Sequence, residues 1–267
     1  MKVYDCFGFN DENHLLEIRL NEMDKFVDYF IIIEFGETHQ GKPKTKNINT
    51  KILNKFSNKV RYYFVEKFDN INKPHGRDQY QRNSIIKGLF DAQGDDVVII
   101  SDIDEIPDLR NIDLKNIKNK IIAFSQLHTM YKLNLTLREK WIGTKLCKYK
   151  NLKSPQWLRS LRIKKKYNIF RIDKLLSPRY TRNFELIENG GWHFGWLRDT
   201  ESIISKIQSY AHSEHNTEYY KNKKFIEKCI NEKRNFFNTN EILQLLDSSL
   251  LPIYIQKNFN KYSNLLS

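Results

Sequence analysis

The stretch VVIISDIDEIP, residues 97–107, constrains the fold more than any other part of this sequence. Four consecutive β-branched residues, Val97 to Ile100, are the pattern of a strand covered on both faces, since a strand with one wet face would alternate. Pro107 then ends sheet pairing, and between run and proline stand Asp102, Asp104 and Glu105. Strands buried on both faces belong to parallel α/β sheets, whose ligands bind beyond the carboxyl ends of the strands. The three acids stand there.

The flanking segments agree with such a sheet. VYDCFGF (3–9) reads as a strand, and the helix after it carries Leu16, Leu20, Met23 and Val27 on one stripe, with Asp11 placed to cap its start. YFIIIEF (29–35) is a second buried strand followed by the polar loop GETHQGKPK, and VRYYFVEKF (60–68) is a third. A helix over 77–96 sets Tyr80, Ile85, Leu89 and Ala92 roughly on one face, with Gly94 at its end. Strand, helix and strand in alternation predict a parallel α/β sheet. Beyond residue 110 the pattern loosens. NKIIAFSQLHTMYKLNL reads as one or two strands and KYNIFRI (166–172) as another, while residues 141–160 show no clear period. From 199 onward, DTESIISKIQSYAH, NTEYYKNKKFIEKCINEKRNFF and NEILQLLD predict three helices. No Pro/Gly linker cuts the chain, so one domain is expected over 1–267: a first half over about 1–110, a second over about 111–198, and a helical segment over about 199–267.

The 267 residues, 40% of them hydrophobic, suffice for a sizeable core. The apolar runs are of strand length, too short to span a bilayer, and the first residues, MKVYDCFGF, lack a signal-peptide h-region. Three widely spaced cysteines, Cys6, Cys147 and Cys229, argue for reduced thiols. Together these features predict a cytoplasmic protein. The net charge of +13 favours polyanionic partners and suits peripheral contact with an anionic membrane face.

Asp-x-Asp after a buried strand has three physical readings. The acids grip a divalent cation that neutralises a diphosphate; or the first Asp is a phosphoryl nucleophile; or the acids solvate a strand end. The phosphatase arrangement wants the motif on the first strand, whereas here it comes after the fourth. Some twenty residues upstream stands QRNSIIKGL, in which Arg82 and Asn83 open a helix before the acidic strand. An arginine there forks onto phosphate oxygens while the acids hold a metal on the other side of the diphosphate.

This order resembles the nucleotide-sugar-binding half of glycosyltransferases of the GT-A fold. More specifically, YDCFGFNDENHLLEIRLNEM, VDYFIIIEFGETHQGKPK, QRNSIIKGL, ISDIDEIP and GGWHFGW occur in the order of glycosyltransferase family 17. The resemblance is strong over about 3–110 and moderate over 190–215. It implies a GT-A, Rossmann-like sheet and inverting transfer of a sugar, GlcNAc, from a UDP-sugar to a glycan hydroxyl, with Mn²⁺ or Mg²⁺.

The resemblance also assigns residues. Asp102 and Asp104 are the metal and diphosphate candidates, with Glu105 either touching the donor sugar or capping the next segment. His193 is either a core residue or the remaining metal ligand, imidazole being the commonest metal-binding side chain. Trp192 and Trp196 either stack on sugar or belong to the core. Glu34, Thr38 and His39 occupy the place of uracil and ribose contacts, and Asp5 and Phe7 face the same crevice, Phe7 being equally readable as a packing residue. Lys42 is a phosphate or sugar contact or else a solvated loop lysine, and Arg77 is an outer phosphate contact or else a helix start. An inverting transferase needs one general base. Glu214 and Asp199 rank first and Glu37 comes after them, without a decision from the sequence.

Another class fits less well. A basic, non-catalytic protein binding nucleic acid or glycan would use the charge, but has little use for both the Arg-Asn pair and Asp-x-Asp. No nucleic-acid-binding signature is visible, so no nucleic-acid partner is expected.

Overall fold

A computed structural model describes the chain except for residues 69–70, 72, 118–119, 164–175, 178, 182 and 210–212. The strand expected over 166–172 lies outside the described residues. In chain order the first elements are β1 (Val3–Phe9), α1 (Asn13–Met23), β2 (Tyr29–Phe35), α2 (Thr50–Asn54), β3 (Val60–Val65), α3 (Pro74–Asn83) and β4 (Val97–Asp102). Next come β5 (Glu105–Pro107), β6 (Ile121–Phe124), β7 (Leu127–Met130), β8 (Leu135–Thr136), β9 (Lys145–Lys148), α4 (Pro155–Ser160), β10 (Phe184–Ile187) and β11 (Gly191–Gly195). The last are α5 (Thr200–Ser209), α6 (Lys223–Asn231), β12 (Arg234–Asn235), β13 (Asn238–Ile242), β14 (Gln244–Leu245) and α7 (Ile253–Lys257).

The main sheet has the order β10-β6-β9-β4-β1-β2-β3. Strands β3, β2, β1 and β4 are mutually parallel, β9 runs against both its neighbours, and β6 pairs parallel with β10. The result is the mostly parallel α/β sheet expected of a GT-A-like fold. Val97 and Ile99 join the core on one face and Val98 and Ile100 the core on the other, the period of two that a doubly covered strand requires. Leu16, Leu20 and Met23 of α1 cover the first face, and Ile85 and Leu89 cover the second. Gly88 lies so close to β2 that a Cβ there would collide with Ile31.

A second sheet has the order β14-β8-β7-β11-β5. The chain leaves β4 of one sheet, turns through Ile103 and Asp104, and enters β5 of the other. Asp102, Asp104 and Glu105 therefore occupy a corner between two sheets, with His193 on β11 opposite Glu105. Each fully buried Val or Ile contributes about 1.5–3 kcal/mol, and this anchorage holds a corner whose acids lose hydration.

Several local expectations change: NTEYYKNKKFIEKCINEKRNFF is helical only over Lys223–Asn231, and Arg82 and Asn83 close α3 instead of opening a helix. The 77–96 helix is α3 followed by a 3-10 turn over Ser84–Leu89. NEILQLLD, expected as a helix, instead supplies β13 and β14, because pairing of Gln244 and Leu245 with β8 completes the edge of the second sheet; tertiary pairing overrides propensity. The three cysteines are buried and unpaired. Among the described residues no helix is long and apolar enough to cross a membrane.

Candidate active site

The corner is held from beneath by an arginine. Arg19 projects from α1 with no exposure. It donates to the main-chain oxygens of Asp102 at 3.0 Å and Glu105 at 2.8 Å, to Ser101 Oγ at 2.6 Å, and to both Asp5 oxygens at 2.9 and 2.6 Å. Its guanidinium also lies 4.4 Å over the Phe7 ring. A rigid fork satisfies several carbonyls of one turn at once, which an ammonium does not. The sequence signal was a charged residue on the apolar stripe of α1.

Above the turn opens a cleft of about 480 Å³ with two unlike walls. In the arginine wall, Asp102 Oδ1 accepts from Arg82 at 3.0 Å and Oδ2 from Arg159 at 2.9 Å. Arg159 also donates to Glu105 Oε1 at 2.6 Å, and Asp78 braces Arg82 at 2.8 and 3.0 Å. Burial alone would raise the Asp102 carboxyl, but the two guanidiniums outweigh it and hold it well below the usual range. Burial dominates at Glu105 and raises its carboxyl. Lys145, behind this wall, is lowered to about 7 by burial and by the nearby Arg159.

The opposite wall is built from histidine and lysine. Asp104 Oδ2 stands 3.7 Å from His193 Nε2 and 3.4 Å from Lys206 Nζ. Burial opposes ionisation of Asp104, yet Lys206 and His193 prevail and lower its carboxyl. Lys206 on α5 also lies 3.8 Å from Glu12, which Arg198 grips at 3.0 Å while holding Asp11 as well. Trp196 lines this side with φ of 57°, an uncommon backbone conformation for a bulky residue.

The sequence model of glycosyltransferase family 17 matches residues 1–266. The chain belongs to glycosyltransferase family 17. It is also similar to the beta-1,4-mannosyl-glycoprotein 4-beta-N-acetylglucosaminyltransferases of Rattus norvegicus and Homo sapiens, each 31% identical over 120 residues. The Mus musculus protein of the same name is 30% identical over 120 residues. Each match covers 40% of this chain and 22% of the relative's length.

Seen as a family 17 glycosyltransferase, the chain gathers some expected residues and separates others. His39, Arg82, Asp102, Asp104, Glu105 and His193 line the cleft together. Gln81, Arg159, Lys206, Glu12 and Trp141 join them, unforeseen from the sequence. Asp5 and Phe7 are buried beneath the corner and Asp5 is taken by Arg19. Glu34 is buried, bonded by Lys44 at 2.8 Å and by the Tyr62 hydroxyl at 2.7 Å. Thr38 and Lys42 close their own loop, the Lys42 N–H donating to Thr38 Oγ1 at 3.1 Å. Arg77 props that loop by donating to the His39 carbonyl at 3.0 Å, and Asn83 accepts from the Gln156 N–H at 3.0 Å, tying α3 to α4. Trp192 is in the core, its indole N–H donating to the Leu250 carbonyl at 2.7 Å. Among the expected bases, Asp199 accepts from the Ser202 N–H at the start of α5, and Glu214 lies in a short 3-10 turn. Glu37 borders a smaller hollow beside the cleft and accepts from the Phe68 N–H at 3.0 Å.

The donor set permits a divalent ion only in part. Each Asp102 oxygen already accepts from an arginine, whereas Asp104 Oδ2 and His193 Nε2 face each other at 3.7 Å and form the candidate pair. His193 Nδ1 is buried without a hydrogen bond, so Nε2 is the atom that faces the cleft. Among the described residues no group of three or more His, Cys, Asp or Glu is arranged to hold a metal. A carboxylate–imidazole pair suits a Mn²⁺-like ion better than Mg²⁺, the ion taking its other ligands from phosphate and water.

Proposed function

We propose that this glycosyltransferase moves a sugar, GlcNAc, from a UDP-sugar to a glycan hydroxyl with inversion, with Mn²⁺ or Mg²⁺ bound at Asp104 and His193. The observation that supports this reading is the pairing of two unlike walls in one cleft at the carboxyl ends of parallel strands. When bound, the ion supplies Lewis-acid neutralisation of the departing diphosphate. Lys206, beside Asp104, adds a mobile positive charge for the same oxygens. Arg82 and Arg159 fix Asp102, and Arg19 fixes the turn, so that the phosphate-facing groups are in place before the donor arrives. His39 and Gln81, linked at 2.7 Å, stand at the nucleoside end. Glu12, which lines both the cleft and the adjoining hollow, is our candidate for the base that takes the acceptor's proton, ahead of Glu37. The N-acetylglucosaminyl and mannosyl parts come from the names of the relatives.

The test is release of UDP from UDP-GlcNAc, with a panel of mannose-terminated glycans, in the presence and absence of Mn²⁺. Metal-dependent release is expected. No metal-dependent release or binding with any UDP-sugar would remove the proposal.

A further inference from the structure

The charges of the cleft are partnered, but one of its surfaces is carbon. Trp141 lines the cleft and remains 37% exposed, although it is anchored on three sides. Its main chain exchanges hydrogen bonds with Gln126 at 3.0 and 2.8 Å. Its indole N–H donates to Glu105 Oε1 at 2.5 Å, and Arg159 grips the same oxygen. That carboxylate passes against Gly143, where any Cβ would collide with it. The ring leans on His193, with centroids 4.8 Å apart and 32° between planes. A tryptophan held this firmly has no need to be open to solvent for its own sake, because indole gains stability by burial.

The exposed indole lies against Glu105, His193 and His128 on the lining of the cleft. A ligand that covers it needs an apolar face for the ring and a polar rim for the surrounding ions. A pyranose has this form, with C–H groups on one face and hydroxyls at the edge. We propose that Trp141 is the stacking platform for a pyranose ring and that Glu105 acts by aiming it. This rests on the transferase reading above. The ring is either the donor's sugar or the acceptor's terminal sugar, and both present the same C–H face.

The experiment titrates the wild-type chain, Trp141→Ala and Trp141→Phe with UDP, with UDP-GlcNAc and with methyl β-mannoside. Calorimetry with Mn²⁺ present reads affinity, and saturation-transfer NMR reads sugar protons held against aromatic rings. Trp141→Ala should keep the wild-type affinity for UDP. It should lose about tenfold in binding either UDP-GlcNAc, which marks the donor sugar, or the mannoside, which marks the acceptor. Trp141→Phe, which keeps a ring but loses the anchoring N–H, should fall between, and a folded Phe variant carries the comparison if Ala unfolds the chain. Equal binding of both sugars by all three proteins overturns the proposal, as does wild-type binding of neither sugar. Wild-type binding of the mannoside but not of UDP or UDP-GlcNAc removes the donor reading alone, and Trp141 is then decided on the mannoside.

Discussion

Asp102 and Asp104 are two residues apart on one corner, yet they face opposite kinds of wall. Asp102 meets two guanidiniums that use both its oxygens. Asp104 meets an imidazole at 3.7 Å and an ammonium at 3.4 Å, neither of which saturates it. Guanidinium forks are rigid and permanently charged, whereas a lysine on a flexible stem can leave and a histidine can exchange a proton for a cation. We therefore propose that one wall is scaffold and the other is open to exchange, although the motif reads as a symmetric pair. In the sequence both acids look like metal ligands; in the fold each Asp102 oxygen accepts from a guanidinium, whereas Asp104 meets its cations through one oxygen, Oδ2.

The comparison can be broken by attacking what both walls share. Arg19→Met should cause the largest loss, because it strands the buried Asp5 carboxylate and frees the turn carbonyls. Removing one partner of a buried pair costs about 3–5 kcal/mol, and urea unfolding should show a loss of that size. A midpoint close to wild type would mean that the turn does not depend on Arg19.

Arg159→Met attacks the arginine wall alone. It removes charged hydrogen bonds to Asp102, which keeps Arg82, and to Glu105, which keeps the Trp141 N–H, so the two together are worth about 1.5–3 kcal/mol. The same urea measurement should show a smaller loss than for Arg19, with Arg159→Lys between it and wild type. If Arg159→Lys equals wild type, the fork geometry assigned to this wall is unnecessary.

A further test is one of pH. Lys145 is held neutral-prone by burial, falling from 10.5 to about 7. Between those values the unfolded chain binds a proton that the folded chain does not, so this group's contribution to stability is full above 10.5 and lost as pH falls through 7. Unfolding free energy should therefore rise from pH 7 towards pH 10 more steeply in wild type than in Lys145→Met. Parallel profiles would show that the lysine is not perturbed.

The order of strands was legible because its signals are local. Val97–Ile100, Tyr29–Phe35 and the stripe of α1 each announce themselves within one short segment. The arginine of QRNSIIKGL and the acids of ISDIDEIP were also legible as partners, since one helix and one strand separate them. The rest of the site depends on contacts that no window spans. Arg159 reaches Asp102 across 57 residues and Lys206 reaches Asp104 across 102, and neither segment marks those cations apart from the many other basic residues. Asp5, Glu34 and Trp192 illustrate the converse: the first two as strand-end residues and the third as an aromatic suggested a ligand, but the partners that claim them come from elsewhere in the fold. Gln244 and Leu245 join β8 in a sheet against their helical pattern for the same reason.

Asp104, not Asp102, is the residue we propose for the cation, and that assignment divides the two walls. It is tested most directly by Mn²⁺ binding in the presence of UDP, read by electron paramagnetic resonance for wild type, Asp104→Asn and Asp102→Asn. Wild type and Asp102→Asn should bind Mn²⁺, and Asp104→Asn should not. Binding that survives in Asp104→Asn and disappears in Asp102→Asn would contradict the division between the two walls.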